Sequence, residues 1–157
     1  MKNPSLRFFK NKGIAYIALL CVLALMGLAL AQAIPDLAHQ RQHEKEAELL
    51  WIGEHYKKAI ESYYQASPGS VKVYPKELSE LLYDRRFFGI KRHLRRLYRD
   101  PMTGNIDWGV IKDKDGGIMA IYSQSTQPII KETNFPPSLK YLEGGKQYRD
   151  WKFGVLN

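Results

Sequence analysis

Residues Lys12–Asp36 read KGIAYIALLCVLALMGLALAQAIPD, and this stretch decides how the rest of the chain is to be understood. Nineteen of the 21 residues Ile14–Ile34 are apolar; Gly27 and Gln32 are the exceptions. A helix of about 20 residues, rising about 1.5 Å per residue, spans a hydrocarbon layer about 30 Å thick. The run therefore predicts a transmembrane helix over 14–35. Lys2, Arg7, Lys10 and Lys12 precede it with no acidic residue among the first 13, which places the N-terminus in the cytoplasm. The remainder, from Asp36 onward, then lies across the membrane.

Working outward, the charge is uneven. The 157-residue chain carries 24 Lys+Arg against 16 Asp+Glu, a net charge of +8. Half of that excess is in residues 1–13, and residues 84–100 contribute another +5. A uniformly basic soluble domain is thereby excluded. So is a polytopic membrane protein, since no second apolar run of comparable length exists.

Three readings of the N-terminus compete. One is an uncleaved signal anchor. A second is a secretory signal peptide cut after Ala33, with Leu30-Ala31-Gln32-Ala33 supplying small residues at the right spacing. Its apolar core is longer than the usual 7–15 residues. In the third, the segment Lys10-Asn11-Lys12-Gly13-Ile14-Ala15-Tyr16, followed by Ile17–Ala33, resembles the N-terminus of type IV pilins and type II secretion pseudopilins. A short basic leader ends in Gly13, and apolar Ile14 follows. Counting from Ile14, Gly27 and Pro35 fall where that family often has Gly and Pro. The family's usual acid at the fifth mature position is replaced by Ala18.

The resemblance implies a 1–13 leader removed between Gly13 and Ile14 by a prepilin peptidase, which also methylates the new amine. It implies an assembly helix carrying Ala18, Gly27 and Pro35. It implies partners in the membrane lipid, in other pilins or pseudopilins, and in an inner-membrane assembly platform. It implies a structural subunit, not an enzyme and without a cofactor, held in a bacterial inner membrane by a single pass with its head in the periplasm. In the family the acid at position five pairs with a neighbour's amine. Ala18 removes that handle and points away from the major repeating subunit; some tip-located minor pseudopilins also lack the acid.

Beyond Pro35, which is expected to kink or loosen the helix, a stem over 36–66 continues in helix. Leu49, Ile52, Tyr56, Ala59 or Ile60, and Tyr63 recur at three- and four-residue steps and mark one buried face. Arg41–Glu48 is polar nearly all round and reads as exposed or packed on other subunits. Ser67-Pro68-Gly69 stops the helix.

The head, 67–157, reads as α+β. A short helix is expected over Pro75–Tyr83 with Leu78, Leu81 and Leu82 inward, and another over Ile90–Arg99. Asp100–Gly104 reads as a turn. Ile106–Ile111 and Ile118–Ser123 read as a hairpin, and Tyr148–Val155 as a third strand. Thr126–Gly145, rich in Pro and Gly, reads as irregular loop. Tyr74-Pro75, the Leu97–Pro101 turn and the hairpin ending Ala120-Ile121-Tyr122-Ser123 are similar to the major pseudopilin of type II secretion. The likeness is strongest over residues 10–35 and looser beyond. The loop that binds calcium in that family corresponds to Gln124–Asn134, which holds Glu132 and no Asp.

The basic run Arg85, Arg86, Lys91, Arg92, Arg95, Arg96 and Arg99 has three readings. It is a solvated face paired locally with Asp84 and Asp100, a dock for an acidic protein face or anionic headgroups, or a nucleic-acid site, in that order of weight. His39 and His43 supply two possible metal ligands and no third. Asp113-Lys114-Asp115-Gly116-Gly117 reads as a turn, lacking the full calcium-loop pattern. Cys21 is the only cysteine, so no intrachain disulfide exists. His55 and Ser62 stand apart, and no nucleophile–base pair is recognisable. Beside the filament subunit stand three alternatives: a signal-anchored periplasmic adaptor, a DNA-binding minor pilin using Arg85–Arg99, and a periplasmic module released by cleavage after Ala33.

Overall fold

A computed structural model describes residues 12–155, with the side chains of Lys12 and of residues 29–38 outside the description. The leader expected over 1–13 falls almost wholly outside the described residues, as does the side chain of Pro35.

A single helix, α1, runs Lys12–Gln65. It carries the expected helical stretch and ends where Ser67-Pro68-Gly69 predicts. Every described side chain from Gly13 to Leu28 is exposed. Among the described residues no helix is long and apolar enough to cross a membrane. The chain separates into two compact units, Met1–Arg41 and Gln42–Asn157. The boundary falls inside the expected stem, so the second half of α1 belongs to the same unit as the head.

That second half is the spine of the core. Leu49, Ile52, Tyr56, Ala59, Ile60 and Tyr63 are all buried, because helical spacing aligns them on one side. Gly53 lies on the same face for a steric reason: a Cβ there would run into the Phe153 ring.

Against this face packs a three-stranded antiparallel sheet: β1 (Gly109–Lys112), β2 (Ile118–Tyr122) and β3 (Lys152–Gly154), in that order. Register pairs Val110 with Ile121 and Ile121 with Phe153, and an irregularity falls between Ile111 and Lys112. With α1, this sheet makes the second unit α+β. Ile118, Ile121, Trp151, Phe153, Leu139 and Leu142 complete the core.

Several local expectations are corrected. Pro75–Tyr83 holds only a 3-10 turn, Leu78–Leu81. Of its three leucines Leu81 is buried, while Leu78 and Leu82 pack at the margin of the core. No helix forms over Ile90–Arg99. The N–H groups of His93 and Leu94 both reach the Leu81 carbonyl, at 2.9 and 2.8 Å, and this pinning to an earlier segment pulls the stretch out of helix. Ile106 stays outside β1 and is exposed. Tyr148–Asp150 is a 3-10 turn ahead of a shorter third strand. The Thr126–Gly145 loop contains a further 3-10 stretch, Pro137–Leu142.

Glu46 departs most from expectation. It sits in the polar Arg41–Glu48 stretch, yet it is buried within its own unit. Its carboxylate accepts the N–H of Ile130 at 2.8 Å, the N–H of Lys131 at 3.0 Å and the Tyr148 hydroxyl at 2.8 Å. A buried carboxylate persists only when hydrogen-bonded in this way. It pins the Pro-rich loop to α1. Burial pushes the Tyr148 hydroxyl up to about 12, with the Glu46 bond reinforcing the shift.

Candidate functional site

The C-terminal end of α1 leaves carbonyls without helical partners. Arg86 reaches one of them, donating from Nη2 to the Tyr63 carbonyl at 2.8 Å. Its Nη1 donates to Ser67 Oγ at 2.7 Å, and its guanidinium lies 3.6 Å from the Tyr63 ring centroid. The same guanidinium grips Asp84 with Nε to Oδ1 at 2.8 Å and Nη2 to Oδ2 at 2.7 Å. This forked geometry is specific to arginine.

Asp84 is fully buried. Burial alone would raise its pKa. The Arg86 side-chain and backbone bonds, together with His93, outweigh it and hold the carboxyl at about 2. The bond to Asp84 in turn raises the Arg86 pKa, against burial.

His93 Nε2 lies 3.2 Å from Asp84 Oδ2, and its Nδ1 lies 2.8 Å from Ser62 Oγ. An ionised Asp84 only accepts, so Nε2 donates to it; in a neutral imidazole Nδ1 then accepts from the Ser62 hydroxyl. Ser62 is therefore not the isolated residue that the sequence suggests. The order Ser, His, Asp is that of a hydrolytic relay. However, Asp84 is already committed to Arg86, and Ser62 lies within α1, where neighbouring N–H groups are spent on helical bonds. Backbone donors for an oxyanion are thus missing beside the hydroxyl. The arrangement supports bracing of the 84–94 segment against α1.

The basic run is divided by this bracing. Arg86 is consumed as described. Lys91 Nζ stands 4.1 Å from the Phe87 ring centroid, and Arg96 lies over Tyr98 at 5.0 Å. Arg99 Nη1 donates to the Gly104 carbonyl at 3.3 Å. Arg85, Arg92, Arg95, Arg96 and Arg99 remain exposed. Asp100, offered by the sequence as a local ion-pair partner, is buried and accepts from Met102 N–H, Thr103 Oγ1 and Ser123 Oγ, which makes it the anchor of the turn.

Beside the run lies an open groove of about 470 Å³, lined by Trp51, His55, Lys58, His93, Arg95 and Tyr98 among others. Trp51 and Tyr98 meet edge to face at 5.5 Å, and Lys58 pairs with Glu54 at 3.0 Å. The groove is cationic and aromatic and suits an acidic side chain better than a neutral ligand.

The other sequence-marked residues lie elsewhere. Gly13, Ile14, Ala18 and Gly27 are exposed on α1, and a Cβ on Gly13 or Gly27 would meet nothing within 4 Å. His39, His43 and Cys21 are exposed as well. Among the described residues no group of three or more His, Cys, Asp or Glu is placed to hold a metal. Asp113 Oδ1 accepts the N–H of Asp115 and of Gly117, at 3.0 and 2.6 Å, and so closes the β1–β2 turn. No family model, no curated protein and no solved structure matches the chain.

Proposed function

We propose that this chain is a pilin-like, non-enzymatic subunit of a bacterial type II secretion or related type IV pilus filament. One observation carries the reading. α1 is a single helix with two unlike parts: Gly13–Leu28 exposes every described side chain, most of them large and apolar, whereas Leu49–Tyr63 is the buried spine of an α+β head. A soluble domain has no use for so many exposed leucines on one helix. Lipid first, and equivalent helices later, would cover them.

The residue details support the same reading. Gly27 has no neighbour within its own chain that requires a glycine. Small residues let membrane helices approach closely, and in this reading Gly27 is where a neighbouring subunit's helix would approach. Gly13 and Ile14 form the proposed junction for a prepilin peptidase, and the basic leader holds the N-terminus in the cytoplasm. The head faces the periplasm, where it meets other subunits or the assembly platform. Ala18 in place of the usual acid favours a filament-end position over that of the major repeating subunit.

Gold labelling of isolated filaments tests this reading. The expected result is low-copy label at one end. Label along the whole length contradicts the end position, and filaments free of the chain contradict the reading itself.

A further inference from the structure

The segment Asp84–Lys91 is a closed loop. The Asp84 N–H donates to the Lys91 carbonyl at 2.9 Å, and Arg86 ties the base to Tyr63 in α1 and to Ser67 just beyond it. Between these ties the chain turns through Phe87-Phe88-Gly89-Ile90. Gly89 takes φ +122°, a conformation that side chains rarely tolerate. The turn presents Phe88 fully to solvent and leaves Ile90 72% exposed. Exposed Arg85 and Arg92 flank the tip, and Arg95 and Arg96 follow.

Two large apolar side chains held in water on a braced base gain free energy when a surface covers them. The collar of cations requires that surface to be anionic. Single-stranded nucleic acid stacks on successive open rings, whereas Phe88 is the one open ring at the tip: Lys91 covers Phe87 and Ile90 has no ring. A bilayer rich in anionic lipid accepts both features at once. Apolar side chains enter the interface while Arg and Lys stay with the phosphates.

We propose that the loop Asp84–Lys91 is a peripheral membrane anchor, inserting Phe88 and Ile90 among anionic headgroups with Arg85 and Arg92 on the phosphates. The proposal stands apart from the filament reading, since it requires neither cleavage at Gly13 nor assembly.

The test uses the full chain carrying Cys21→Ser and Ile90→Cys, with an environment-sensitive fluorophore on the new thiol. Vesicles are phosphatidylcholine alone or mixed with phosphatidylglycerol. The apolar N-terminal run can enter either, whereas the label reports the loop. Expected are a blue shift and quenching by brominated lipid in the anionic vesicles only, weakened by salt and about tenfold by Phe88→Ser. A label at Asp115→Cys should stay water-exposed throughout. The proposal fails if the loop label remains aqueous on anionic vesicles or shifts equally on neutral ones. It also fails if the shift appears only when poly-glutamate or a DNA oligonucleotide replaces the vesicles.

Discussion

Two stretches of one helix behave as opposites. In Gly13–Leu28 the apolar side chains circle the helix, and all described ones are exposed. In Leu49–Tyr63 they occupy one stripe, and the stripe is buried. The difference lies in pattern, not in hydrophobicity. A stripe can be satisfied by one domain, because a sheet covers it. A helix that is apolar all round cannot be satisfied by its own chain and needs a surrounding medium or several neighbours.

The largest expected effect breaks the comparison at its buried end. Ile60→Ala should destabilise the head by about 2–5 kcal/mol, read as a lower midpoint in chemical unfolding of the detergent-solubilised chain. Leu23→Ala should leave that midpoint unchanged. Equal losses at the two sites would erase the distinction.

Glu46→Ala comes next, at about 3 kcal/mol, because three donors lose their acceptor inside the fold. An exposed neighbour, Glu48→Ala, should cost less than about 0.5 kcal/mol by the same unfolding measurement.

The glycines sharpen the contrast sterically. Gly53→Ala should cost about 1–3 kcal/mol, since its Cβ collides with Phe153. Gly27→Leu should leave the unfolding of the head untouched and reduce incorporation into filaments.

An effect of similar size, confined to low pH, falls on pH dependence. The Asp84 carboxyl is depressed from 3.8 to about 2. Its contribution, about 2 kcal/mol, is complete above pH ~4 and is lost as pH falls through ~2. An acid-unfolding titration should show this loss in the parent chain, and Asp84→Asn should remove that portion of the slope.

Periodicity made much of this architecture readable. The six buried positions of α1 were spaced as a helix face, and turn residues marked the helix end, the Asp100–Gly104 turn and the hairpin. What could not be read were bonds between distant residues. Glu46 looks solvent-facing until Ile130, Lys131 and Tyr148 are brought to it. Arg86 looks like one member of a basic run until the end of α1 supplies Tyr63 and the turn after it supplies Ser67. Ser62 and His93 lie 31 residues apart, and only the return of the 84–94 segment joins them. Ile90–Arg99 has helical composition, but Leu81 takes its N–H groups. Local composition carries no record of such partners.

The central claim is that Ile14–Leu28 belongs to an assembly helix released from a leader, and the intact mass of the protein purified from its native membrane tests it most directly. Removal of 13 residues from 157 leaves 144, so the account predicts a 144-residue chain beginning at methylated Ile14. An uncleaved chain of 157 residues, or one of 124 beginning at Ile34, would contradict it.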